Sequence, residues 1–221
     1  MVDFSCNTLV NYNGTWWKVE NGKICLNSNT VTEFNGSWWK ITNGAVDFAY
    51  TGVANNEYGW WYIKNGMLDF SYNGLADNEY GSWKIINGAV DFSAYGIQYD
   101  YHTNKWYYFN GGSVAASYNG LAQNEAGWWK ITGGMVDFNY TGMVQNEAGW
   151  WYVAGGLVDF NYNGIGSNEA GWWKFTNGQV DFGFNGMAGN AAGWWKFNGG
   201  KIDFTFNGIA PNESGSWNFR G

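Results

Sequence analysis

The chain has one proline, two cysteines and one histidine among 221 residues, and only 13% of its residues are charged. Each scarcity excludes something. The few lysines and arginines are scattered, and the net charge is -7, so there is no basic patch of the kind nucleic acid phosphates demand. No apolar run reaches the roughly 18–20 residues of a helical membrane span. The N-terminus lacks the basic and apolar segments of a signal peptide. The lone histidine, His102, sits in the irregular stretch YDYHTNK, and no Ser-His-Asp or Cys-His set can be assembled around it. Carboxylates recur in every repeat rather than as a single tuned pair. No catalytic residue, metal or cofactor is expected.

Aromatics and glycine are abundant instead: 17 Trp, 15 Tyr, 15 Phe and 34 Gly. Every tryptophan falls on one frame. The first members of the tandem aromatic pairs are Trp16, Trp38, Trp60, Trp106, Trp128, Trp150, Trp172 and Trp194, spaced by 22 residues except for a two-residue insertion before Trp106. Two further repeats have Ser82 and Ser216 in that position and keep only the second tryptophan, Trp83 and Trp217. A fixed period of this length signals a small unit that buries its apolar face only by stacking on its copies.

The segment WWKITNGAVDFAYTG, residues 38–52, reads as a hairpin. Asn43-Gly44 is a two-residue type I′ turn signal, since both central residues need positive φ. This register places Ile41 opposite Val46, Lys40 opposite Asp47 and Trp39 opposite Phe48. Alternation then puts Trp39, Ile41, Val46 and Phe48 on a core face, and Trp38 with a Lys40–Asp47 pair on the other. The connector with its recurring Asn-Glu reads as a structured turn. Helix is disfavoured throughout, because no 3.6-residue apolar stripe appears. The expected fold is all-β, an elongated β-solenoid of about ten stacked 22-residue hairpins, with residues 1–15 a cap or partial repeat and 16–221 the tandem array. Cys6 and Cys25 fall on adjacent repeats and are either a disulfide or two thiols.

Lys105 to Ser117 reads KWYYFNGGSVAAS. This run resembles the choline-binding, or cell-wall-binding, repeat of Gram-positive surface proteins and phage lysins, which is related to glucan-binding repeats and to receptor-binding repeats of clostridial toxins. The resemblance implies ligand sites between successive hairpins. Its ligand tryptophan corresponds to Trp106 and to Trp16, Trp38, Trp60, Trp128, Trp150, Trp172 and Trp194. Its second aromatic corresponds to Tyr118 and to Tyr50, Tyr72, Tyr140 and Tyr162, with Phe184 and Phe206 in the same place.

The functional expectation is a non-catalytic binding module, secreted or on a cell surface as part of a longer protein. It would hold a repetitive cell-wall polymer or surface glycan on exposed aromatic platforms. Choline is an alternative ligand, but a Lys or Tyr follows most tryptophan pairs, and a lysine beside the ring favours a neutral glycan over a cation. The competing reading is a structural or protein-binding spacer whose aromatic ladder is packing. An exposed ladder would also permit self-association.

Overall fold

The computed structural model describes residues 1 and 3–220. All regular structure among them is β-strand, as the turn spacing implies. The chain divides into two compact blocks: an N-terminal block of residues 1–105 with 109–115, and a C-terminal block of residues 106–108 with 116–221. Each block is a run of stacked hairpin repeats.

One repeat of the C-terminal block shows how the sequence builds the unit. Strand Gly120–Asn124 pairs with Gly127–Thr132, placing Leu121 opposite Lys130, Ala122 opposite Trp129 and Gln123 opposite Trp128. Gly127–Thr132 then pairs with the short strand Met135–Val136 through Ile131↔Val136. The connector expected to be a turn is therefore a full strand, and its hairpin is longer than the one read from the Asn-Gly signal. That signal still marks a true turn: Asn43 and Gly44 have φ of 50° and 81°. The glycine is needed twice over. A Cβ on Gly156 would lie 2.5 Å from the Asp137 carbonyl oxygen of the previous repeat.

Successive repeats are stitched by the backbone. Lys130 N donates to Gly156 O at 2.7 Å, and Gly156 N donates to Tyr140 O at 2.8 Å. In the N-terminal block Lys40, Gly66 and Tyr50 do the same. Strand alternation alone suggests one buried and one open hairpin face. Stacking buries parts of both. The cluster of Leu121, Val144, Val153 and Val158 is closed by Trp128 from one repeat and Trp151 from the next. Val31, Ala54, Ile63 and Leu68 are closed likewise by Trp38 and Trp61. The first-tryptophan face of each hairpin thus lies on the second-tryptophan face of its successor, and Ile41, Ile63, Ile85, Ile131 and Phe175 at its centre are fully buried.

Two sequence expectations are corrected here, and one open alternative is decided. Phe48 does not join the core: it is 52% exposed and stands edge-on to Trp39 at 5.7 Å. It lies beyond the two-residue strand, so alternation no longer governs it. The Lys–Asp pairs do not form among the described residues. Lys130 Nζ donates to the Ile131 carbonyl at 2.7 Å, while Asp137 leaves the strand and accepts from Asn139 N at 3.2 Å as a turn residue. The ion pair that does form is Lys18–Glu20 at 2.6 Å. Finally, Cys6 and Cys25 are free thiols. Cys25 stands at the aspartate place of its turn and points its Sγ to the Lys23 carbonyl, while Cys6 meets the next repeat through its own carbonyl, which accepts from Gly22 N.

Candidate functional site

A cavity of about 690 Å³ lies between the hairpins carrying Trp128 and Trp151. Trp128, Trp151 and Phe160 form aromatic walls, Leu121 and Val158 an aliphatic floor, and Glu147 and Gln145 line it beside Asn146. All of these belong to the C-terminal block. Trp151 meets Phe160 edge-on at 5.4 Å. Asn146 fixes the second wall, because its Oδ1 accepts from Trp151 Nε1 at 2.9 Å and from Ala148 N at 2.9 Å. One side chain therefore holds the ring and closes the turn. The recurring asparagine repeats this at Asn56, Asn78, Asn124, Asn168, Asn190 and Asn212. The same cleft one repeat later is lined by Met143, Trp150, Asn168, Ala170, Trp173, Val180 and Phe182, each 22 residues on from its counterpart, and is smaller, about 110 Å³.

The family model described as "Choline-binding repeat" matches residues 6–25, 27–47, 49–69, 117–137 and 139–159. The chain carries repeats of the choline-binding family. No curated relative matches it. Among solved structures, choline binding protein F from Streptococcus pneumoniae aligns at 14% identity over 95% of this chain and 98% of that one, with a TM-score of 0.24. The modular autolysin LytC from the same species aligns at 12% identity over 86% of this chain and 51% of that one, with a TM-score of 0.31. At scores this low, the assignment rests on the repeat match.

In the repeats of this chain the first tryptophans are not uniformly exposed platforms. Trp16, Trp38, Trp60, Trp106, Trp128 and Trp150 are half-buried, whereas Trp172 and Trp194 are 43% and 47% exposed. Their cross-strand neighbours explain the difference. Trp128 and Trp150 face Gln123 and Gln145, while Trp172 and Trp194 face Ser167 and Gly189, which cover less of the ring. Ser82 replaces a tryptophan by hydrogen-bonding across the strand pair to Asp77.

The tyrosines Tyr50, Tyr72, Tyr118, Tyr140 and Tyr162 are half-buried struts rather than exposed platforms. Each donates its hydroxyl to the carbonyl three residues on, as Tyr118 does to Leu121 at 2.6 Å and Tyr140 to Met143 at 2.8 Å. What covers them is the residue after the tryptophan pair. Lys40 and Lys130 place Nζ over the rings of Tyr50 and Tyr140 at 5.4 and 5.5 Å. Tyr62, Tyr108 and Tyr152 instead stack on Tyr72, Tyr118 and Tyr162. Burial pushes Lys130 below the usual lysine range, opposed by the charge of Asp137, and pushes Tyr140 above the usual tyrosine range. Neither Lys130 nor Lys174 lines the clefts at Trp128 and Trp150. The lysine expected to oppose a cationic ligand is turned to another ring.

The two blocks differ at one place in the frame. In the N-terminal block the residue after Asn-Glu is Tyr58 or Tyr80; in the C-terminal block it is Ala126, Ala148, Ala170 or Ser214. Tyr58 leans on Trp38 and Tyr80 on Trp60, each at 5.9 Å. Trp60 also contacts Trp83 at 5.1 Å and Phe92 at 6.1 Å, so the rings that wall the cleft elsewhere meet one another here. Trp16 is covered by Phe34 at 5.4 Å. Among the described residues Trp128, Trp150, Trp172 and Trp194 have no such ring contact. Glu57 and Glu79 lie beside the Tyr58 and Tyr80 hydroxyls and raise both tyrosines above their usual range; Glu57 also lines the space over Trp38, and Glu147 lines the cleft at Trp128.

His102 belongs to the inserted turn, where its ring lies 5.3 Å from Tyr72 and over Gly74, which has no room for a Cβ. The same turn is tied by buried Asp100, which accepts from Thr103 N and Oγ1 at 2.8 and 2.7 Å.

Proposed function

We propose that the chain is a non-catalytic binding module that holds quaternary ammonium groups, such as the choline carried on a repetitive cell-wall polymer, at a cell surface. The observation that carries this reading is the cleft of three aromatic walls with one carboxylate beside them, Trp128, Trp151, Phe160 and Glu147. A trimethylammonium group is apolar on its surface and positive overall. Aromatic faces attract it by about 0.5–1 kcal/mol when exposed and about 2 kcal/mol when desolvated. Glu147 adds a charge of opposite sign. The repeat family's own description names the same ligand.

Single sites of this strength bind weakly. Several along one chain acting on one polymer gain roughly 10²–10⁴ in avidity when both repeat. A neutral sugar fits this cleft less well, because Asn146 already spends its Oδ1 on Trp151 and Ala148.

Tryptophan fluorescence titrated with choline, and in parallel with its uncharged carbon isostere, tests the reading. Choline is expected to perturb the emission at lower concentration than the isostere does, and Trp128→Ala with Trp150→Ala to weaken it. Equal binding of the two compounds would show that charge plays no part and overturn the reading.

A further inference from the structure

We propose that the residue following Asn-Glu in each repeat is a lid that decides which clefts accept a quaternary ammonium group: tyrosine closes those of the N-terminal block, and alanine leaves those of the C-terminal block open. This inference rests on the quaternary ammonium reading above and adds to it a residue that sets which repeats bind.

Two observations support it. The first is ring geometry. Tyr58 and Tyr80 contact Trp38 and Trp60 in the N-terminal block, and Trp60 is also drawn against Trp83 and Phe92. A cation cannot lie on a ring face that another ring already covers. The second is the cavity itself. In the N-terminal block the space over Trp38 is bounded by Tyr58, Lys18 and Glu20, and neither Trp61 nor Phe70 reaches it. Behind Ala148 the corresponding Trp151 and Phe160 are both walls.

The exchange is sterically mild for the backbone. Ala148 N and Tyr80 N make the same hydrogen bond to the preceding asparagine, both at 2.9 Å. Tyrosine therefore suits the turn that alanine occupies, and a variant with the lid added retains the hairpin.

Equilibrium dialysis of the full chain against labelled choline tests the proposal, with near-ultraviolet circular dichroism confirming that each variant is folded. Ala126→Tyr, Ala148→Tyr and Ala170→Tyr, added in turn, are expected to lower the choline bound per chain stepwise. Tyr58→Ala with Tyr80→Ala is expected to raise it. If the wild-type chain binds choline but the amount is indifferent to these substitutions, the lid is overturned while the ligand reading stands. If neither the wild type nor any variant binds choline, both fall.

Discussion

The N-terminal and C-terminal blocks share a repeat and a frame but use their first tryptophans differently. Trp60 makes contacts with three other rings, whereas Trp128 borders open space. The spacer and binding readings of the aromatic ladder are therefore not rivals for the whole chain. The first suits the repeats lidded by Phe34, Tyr58 and Tyr80; the second suits the repeats that carry alanine. The lesson concerns duplicated units. Copying a hairpin copies its core, because every copy must fit its neighbours, but the rim position is free to vary and a site can be gained or closed there by one side chain.

The largest effect should fall on what the blocks share. Phe175→Ala and Ile85→Ala, both at fully buried positions, should cost about 3–5 and about 2–5 kcal/mol respectively, read from urea denaturation. A negligible cost at either would break the claim of a common core. Next come the asparagines. Asn146→Ala and Asn78→Ala should each cost about 1–3 kcal/mol by stranding a tryptophan Nε1 and a turn N–H, yet only Asn146→Ala should weaken choline binding. Equal loss of binding from both would erase the difference between the blocks.

Of similar size, Trp60→Ala should lose about 0.5–1.5 kcal/mol for each ring pair it abolishes without changing choline uptake, while Trp172→Ala should do the reverse. The mildest prediction concerns Lys130→Met, which removes a cation over the Tyr140 ring at 5.5 Å worth about 0.5–1 kcal/mol. Its pH signature is more telling. Burial depresses Lys130, so its contribution is present above the usual lysine value and lost as pH falls through the depressed one. Burial raises Tyr140, so its contribution is present below the usual tyrosine value and lost as pH rises through the raised one. Lys130→Met should leave only the alkaline loss, measured by denaturation between neutral and strongly alkaline pH.

Much of the architecture is legible in the amino-acid sequence. The Asn-Gly turns, the Ile41↔Val46 register and the all-β repeat follow from local rules that need only neighbouring residues. The connector strand is harder to read, because Gly120–Asn124, GLAQN, is short and rich in small residues. Phe48 is misplaced when the strand rule is extended past the strand's end. The lid is visible as Tyr58 and Tyr80 against Ala126, Ala148 and Ala170, but nothing in the letters says that this side chain reaches the tryptophan of the preceding repeat.

Sequence by itself determined the repeat length, the turns and the identity of the aromatic ladder, since each depends on backbone preferences within a few residues. Tertiary structure alone decided which rings meet. A hairpin has two faces, and only the stacking of one on the next shows that Trp128 shares a cleft with Trp151, that Lys130 turns to Tyr140, and that a cleft survives where alanine stands.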